Sequence, residues 1–261
     1  MNLSFGEWGY LAPAFVAGLL VLATHVPLGR EVLRRGIVFL DLAIAQIAGL
    51  GGLVVHALAG PDAGWTVQLG AAVAAAVGAL LLRWLEGRSG RHQEAVIGVA
   101  FAAAACLSML LMAHDPHGAE HLQDLLVGQI LWTTWADLVP LALFSAFALA
   151  LWFGAGVRRS PVGFYLLFAL TITASVQVVG VYLVFASLIV PALAAAGRLL
   201  RAYTLGAVGY LLGLFASGVW DWPAGAAIVV AMILVVAVAA MVGDGRSRDD
   251  LKETPGRPKF P

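Results

Sequence analysis

The chain has 261 residues, 61% of them hydrophobic and 11% charged, against about 25% charged in an ordinary soluble domain, so it lacks the polar surface a water-borne fold requires. Its Lys+Arg count of 15 equals its Asp+Glu count of 15, which removes the basic excess that marks nucleic-acid binding. A lone cysteine, Cys106, excludes an intrachain disulfide and a Cys-based zinc finger. No P-loop occurs, so ATP hydrolysis by that route is excluded as well.

A spanning helix takes about 20 apolar residues. In chain order the apolar runs predict spans at roughly 9–29, 36–59, 65–84, 93–113, 136–157, 162–178, 179–197, 202–220 and 223–242. Only Glu7 precedes the first run, with no Lys or Arg, so that run reads as a retained span and not a cleaved signal. His25 and Pro27 read as its helix exit. From Ser160 to Gly197 there is no charge. That run suits two spans turning near Gln177–Gly180, or one span plus a re-entrant piece. The fold class is therefore all-α: a polytopic membrane bundle of about nine spans, or eight on the second count. Residues 1–243 form the membrane domain. The polar 244–261 segment reads as a disordered cytosolic tail.

Charge placement orients the bundle. Arg30, Arg34, Arg35, Arg83, Arg88, Arg91, Arg158, Arg159, Arg198, Arg201 and the five bases of the tail all fall on one side of a nine-span map. The other side carries Glu7, Asp62, Asp115, Glu120, Asp124, Asp137 and Asp221. Basic loops stay cytoplasmic, so the N-terminus is expected outside and the C-terminus inside.

The second span holds the clearest polar face. Asp41, Ala45, Ala48, Gly52 and His56 recur at helical steps of three and four. Such a face looks toward a bundle interior or a water-filled path, or else Asp41 pairs with Arg34 or Arg35 near the interface. Gln46 lies about 100° off that face. Cys106 and Met109, one turn apart, read as buried packing, with a soft metal contact as the alternative. Thr171, Ser175 and Gln177 place hydrogen-bonding groups along the sixth span. Pro191 interrupts the seventh.

Between the fourth and fifth spans lies His114-Asp115-Pro116-His117-Gly118-Ala119-Glu120-His121-Leu122-Gln123-Asp124. It holds three of the chain's six histidines and no base. Pro116 and Gly118 predict a turn that leads into a short helix at roughly 120–133. Imidazole with carboxylate suits zinc, manganese, nickel or ferrous iron, and a solvated loop is the alternative. His114, His117, Glu120 and His121 are the candidate outer acceptor residues. Asp41, Gln46 and His56 are the candidate path residues.

Three stretches resemble the membrane permease subunits of bacterial ABC importers for zinc, manganese and related ions. They are GREVLRRGIVFLDLAIAQIAGLGG from Gly29, the run from Glu94 to Leu138 with its PHGAEH loop and LVGQILW-x-x-W-x-DL pattern, and VVGVYLVFASLIVPALAAA from Val178. The resemblance implies a half-pore in the inner membrane that pairs with a second copy or a sister permease. It implies two further partners, a cytosolic ATP-binding subunit and an extracytoplasmic metal-binding protein. The chain would be no enzyme and hold no permanent cofactor. Its cargo would be a divalent metal ion, zinc first, with manganese or iron next.

The chain departs from the family pattern at three places. Gln46 stands where a path histidine is frequent, in a pattern like DTLAH, and Asp41 is one place out of register. A second family histidine falls at Ala102. The family's docking segment between the fifth and sixth spans, roughly thirty residues, is reduced to Gly156–Pro161, too short for a docking helix. Two rivals follow: a regulatory permease relative without ATPase coupling, and a secondary metal carrier. If the 114–121 imidazoles accept metal, changing His114, His117 and His121 to Ala lowers metal accumulation by whole cells. Unchanged metal content, read by mass spectrometry, would reduce the island to a solvated or docking loop.

Overall fold

The computed structural model describes residues 9, 11–59, 64–89, 92–113, 126, 128–194 and 198–252. Its helices are α1 (Leu11–Arg35), α2 (Leu40–Ala59), α3 (Gly64–Ser89), α4 (Gln93–Met112), α5 (Trp135–Phe153), α6 (Pro161–Val179), α7 (Val181–Ala194), α8 (Leu199–Trp220) and α9 (Ala224–Lys252). Single 3-10 turns occupy Ile130–Trp132 and Val157–Arg159. Among the described residues, 8 helices are long and apolar enough to cross a membrane, and α7 is a shorter apolar helix. The backbone of a lipid-embedded chain must satisfy its own hydrogen bonds, and an all-helical bundle does so.

Burial sorts the helices. In α1, 67% of the spanning window is buried, and in α6 61%, against 22% in α4 and α9. So α1 and α6 form the centre, while α4 and α9 show most of their surface outward. The exposed apolar side chains of α4, among them Leu107, Met109 and Leu110, form a lipid-type face. Cys106 is exposed as well and Met109 is 62% exposed, so this pair does not pack in the core as its apolar surroundings suggested. Outward apolar side chains are the favourable arrangement once hydrocarbon replaces water.

Close backbone approach sets the centre. A Cβ on Gly29 would overlap the carbonyl oxygen of Leu188, and one on Gly18 would overlap the Tyr210 ring. A Cβ on Gly206 would press on Leu22, at 2.8 Å from one of its methyl carbons. The Tyr210 hydroxyl shares a buried 2.8 Å hydrogen bond with Ser187, and the Tyr203 hydroxyl donates to Ala23 O at 3.2 Å. These contacts run α8 antiparallel to α1, with α7 wedged against both. His25 and Pro27 lie inside α1, which continues to Arg35. They are therefore not the helix exit that the sequence suggested. Pro27 is accommodated in mid-helix, and His25 is wholly buried with Nδ1 donating to Val21 O at 2.9 Å.

The contacts also gather the described bases at one end. Arg34 Nε and Arg35 Nε donate to Glu31 at 2.8 and 2.7 Å, and the Arg35 guanidinium lies 4.1 Å over the Phe164 ring near the start of α6. Gln93 Nε2 donates to the Tyr165 hydroxyl at 3.1 Å, and Phe39 N donates to Glu94 at 3.0 Å. Arg201, in the first turn of α8, donates to Ala239 O at 3.3 Å.

The α6–α7 junction lies at the opposite end. There Gly180 (φ 79) caps α6, and Gly128 (φ 74) packs so closely that a Cβ would overlap Val179 and Gly180. α7 travels back from that junction to Gly29, where Leu188 and Ala192 meet it, so its C-terminal end lies toward the basic end. Its 14 residues rise only about 21 Å, less than the roughly 30 Å of a bilayer core.

Of the predicted 120–133 helix, the described residues are Leu126, in helical backbone, and 128–133, which hold one 3-10 turn at Ile130–Trp132. The 114–124 island lies outside the described residues. α9 continues in helical backbone to Lys252, into the polar stretch after Gly243.

Gly29→Ala should destabilise the bundle by about 1–3 kcal/mol through overpacking, seen as a lower melting temperature in detergent. Gly98 has open space at its Cβ, so Gly98→Ala should leave stability unchanged or slightly raised.

Candidate functional site

At the end opposite the bases, the C-terminal turns of α2 and α6, the first turns of α3 and α5 and the Ile130–Trp132 turn surround two cavities. The first, about 510 Å³, opens between α2, α3 and α6. Ala48, Gly52 and His56 line it from α2, with Val67, Gln68 and Ala71 from α3 and Thr173 and Gln177 from α6. The second, about 600 Å³, opens between α3, α5 and α6 and takes in Trp132, Asp137 and Phe144. Gln68, Gln129, Thr173 and Gln177 line both. The cavities therefore meet at three side-chain amides and one hydroxyl.

Local structure explains this placement. The small residues of α2 and α3 let their backbones approach: a Cβ on Gly51 would overlap Ala74, and one on Gly70 would overlap Val55. Close approach leaves no bulky side chain to fill the cavity wall at Ala48, Gly52 and Ala71. On α6, Thr173 and Gln177 are four apart and so share a face. Thr173 Oγ1 donates its hydrogen to Ala169 O at 2.8 Å, so its remaining capacity is that of an acceptor. Asp137 is already employed in its own helix start: Thr134 N and Oγ1 donate to its Oδ2 at 2.9 and 2.7 Å, a capping box on α5.

The predicted path residues divide. His56 lines the first cavity, with Ala48 and Gly52 of the same helical face. Asp41 and Gln46 line neither cavity; they are 1% and 7% exposed and sit in the half of α2 nearer the bases. Asp41 forms no ion pair with Arg34 or Arg35, which hold Glu31. Both its oxygens are buried without a hydrogen-bond partner, as is Glu94 Oε2. Among the described residues no group of three or more His, Cys, Asp or Glu is placed to hold a metal. His114, His117, Glu120 and His121 lie outside the described residues.

Gln68, Gln129 and Thr173 escaped the sequence reading. Their signal is an uncharged polar side chain within an apolar run, which is weak, because hydroxyls in spans so often bond their own backbone. Thr171 does this, donating to Leu167 O at 2.8 Å.

The α5–α6 connection is short. Gly156 takes a left-handed conformation (φ 65), Val157–Arg159 make one 3-10 turn, and Ser160 caps α6 by accepting from Gly163 N at 3.2 Å. No helix of docking length occurs there.

Comparison with known proteins gives a consistent picture. The ABC 3 transport family matches residues 7–159 and 150–243. The two matches meet at the short α5–α6 connection. The chain is 24% identical over 259 residues to the "Manganese transport system membrane protein MntC" of Listeria innocua, covering 89% of this chain and 90% of that one. It is 25% identical to the protein of the same name from Halalkalibacterium halodurans, covering 89% and 87%. A "Probable iron transport system membrane protein" of Haemophilus influenzae is 27% identical over 261 residues, covering 89% and 90%. In fold, the chain matches a chain of PsaBC from Streptococcus pneumoniae, solved in complex with Fab. The TM-score is 0.70 at 22% identity, covering 90% of this chain and 92% of that one.

If the cleft admits water, Gln68→Cys and Gln177→Cys on a Cys106→Ser background should react with a charged maleimide in membranes open on both faces. Ser187→Cys, at a wholly buried position, should stay unlabelled. Equal labelling at all three positions would contradict the geometry.

Proposed function

The chain belongs to the ABC 3 transport family, and from that premise we propose that it is the membrane permease subunit of an importer for a divalent metal ion. The supporting observation is the family match from residue 7 to 243 on a bundle whose polar cavities open at the end away from the bases. The basic end faces the cytoplasm, because positively charged loops are retained there. The cavities then face outward and take the ion first, and His114, His117, Glu120 and His121 serve as outer acceptors.

Gln68, Gln129 and Gln177 are exposed in the single chain. A second copy set against this face would turn the open cleft into an enclosed path. The partners are a cytosolic ATP-binding subunit, an extracytoplasmic metal-binding protein and the second permease copy. The chain itself makes and breaks no covalent bond. It exposes its path alternately to each side of the plasma membrane, from outside through the polar cavities and toward Asp41 and Gln46 at the cytoplasmic half of α2. The relatives' names favour manganese or iron. Zinc, the expectation from the sequence resemblance, rests chiefly on the histidines at 114–121 and on His56.

A second reading has one observation in its favour. The Gly156–Pro161 connection offers an ATP-binding subunit no docking helix, as in a regulatory permease relative that has lost coupling. Two measurements separate the readings. Cells lacking this chain should take up severalfold less radioactive manganese under chelation, and the tagged chain should co-purify with an ATP-binding subunit. Normal uptake together with stable attachment only to another permease would establish the regulatory reading.

A further inference from the structure

We propose that Gln68, Gln129, Thr173 and Gln177 form a neutral oxygen-donor site at the junction of the two cavities, which binds divalent cations weakly and removes most of the advantage that imidazole gives zinc over manganese-like ions. The site rests on the import reading for its biological use. Its metal preference is a property of the chain's own side chains.

The composition of the junction is selective. The first cavity has His56 and the second has Asp137, but the residues common to both are three amides and a hydroxyl, all uncharged. An ion passing between the cavities meets these oxygens. Carbonyl oxygen and water suit hard cations such as manganese, and zinc owes much of its lead over manganese to nitrogen and sulfur ligands, so an all-oxygen site narrows that lead. Thr173 adds to the acceptor character, because its only hydroxyl hydrogen is committed to Ala169 O at 2.8 Å.

The frame is stiff. Thr173 is buried on a central helix, and Gln129 precedes a turn anchored by the buried Ile130 and by the contact of Gly128 with Val179 and Gly180. A site with no fixed negative charge also binds weakly, and a transported ion must leave again. The chain's departure at Gln46 agrees in kind: an amide stands where the resemblance places an imidazole.

The test uses the full chain in nanodiscs with His114, His117 and His121 changed to Ala, so that outer imidazoles do not contribute. Free Mn²⁺ is read by electron paramagnetic resonance, and Zn²⁺ by competition. Gln68→Ala and Gln177→Ala should each weaken Mn²⁺ binding about tenfold, the loss of one charge-assisted contact, with an unchanged melting temperature. Gln177→His should raise Zn²⁺ affinity severalfold relative to Mn²⁺. No Mn²⁺ binding by the parent, or Mn²⁺ affinity unchanged in both Ala variants, would overturn the proposal. If the variants shift binding while cells lacking the chain import manganese normally, the site stands and the import reading falls. If uptake depends on the chain but the variants alter neither affinity nor preference, the import reading stands and the site falls.

Discussion

The contact on which the bundle depends is the meeting of α1 with α7 and α8 through glycine. Gly29 lies under the Leu188 carbonyl, and Gly18 lies under the Tyr210 ring. Inside a bilayer, apolar side chains gain little by leaving lipid for protein, so close packing and internal hydrogen bonds carry the association. A missing Cβ at these places is what lets α7 and α8 reach α1. The buried Ser187–Tyr210 hydrogen bond then holds α7 to α8. With α1 fixed, its Arg30–Arg35 end defines one face of the bundle.

The two ends differ in chemistry. The basic end is tied by charge-assisted and amide contacts at Glu31, Gln93 and Glu94. The opposite end is tied by backbone shape, with Gly128 and Gly180 in conformations that L side chains rarely adopt. Between them α7 is too short to cross a full bilayer core by itself, and a single residue, Gly180, separates it from α6. An abrupt helix break buried in protein is tolerated at membrane depth where loose loop is not. The break leaves the end of α6, with Thr173 and Gln177, turned toward the cavities.

The carboxylates near this region lie away from the junction of the two cavities. Asp41 and Glu94 sit toward the basic end, and Asp137 is bound into a helix cap. The described stretch between them offers amides, a hydroxyl and one imidazole. Neutral polar walls cost little to bury and still replace part of an ion's hydration, which suits passage better than capture.

Much of this was legible in the amino-acid order. The runs of apolar residues located every helix, because spanning length and backbone satisfaction leave few alternatives, but α1, α3 and α9 run on past their apolar runs to Arg35, Ser89 and Lys252. The arginines, arranged so that every second connection is basic, predicted the common end at which the described ones now lie. Ala48, Gly52 and His56 were readable as one face of α2 from their spacing alone. The sequence could not show that His25 and Pro27 continue a buried helix, since a proline in mid-helix and a proline at an exit look alike until neighbours pack around them. Nor could it show that Cys106 and Met109 face outward, because lipid reverses the usual reading of an apolar stripe. The junction of Gln68, Gln129, Thr173 and Gln177 was decided by tertiary structure alone. These residues come from three separate segments, and only the packing of α3 against α6, with Gly128 seated on the α6–α7 break, brings them to the wall that the two cavities share.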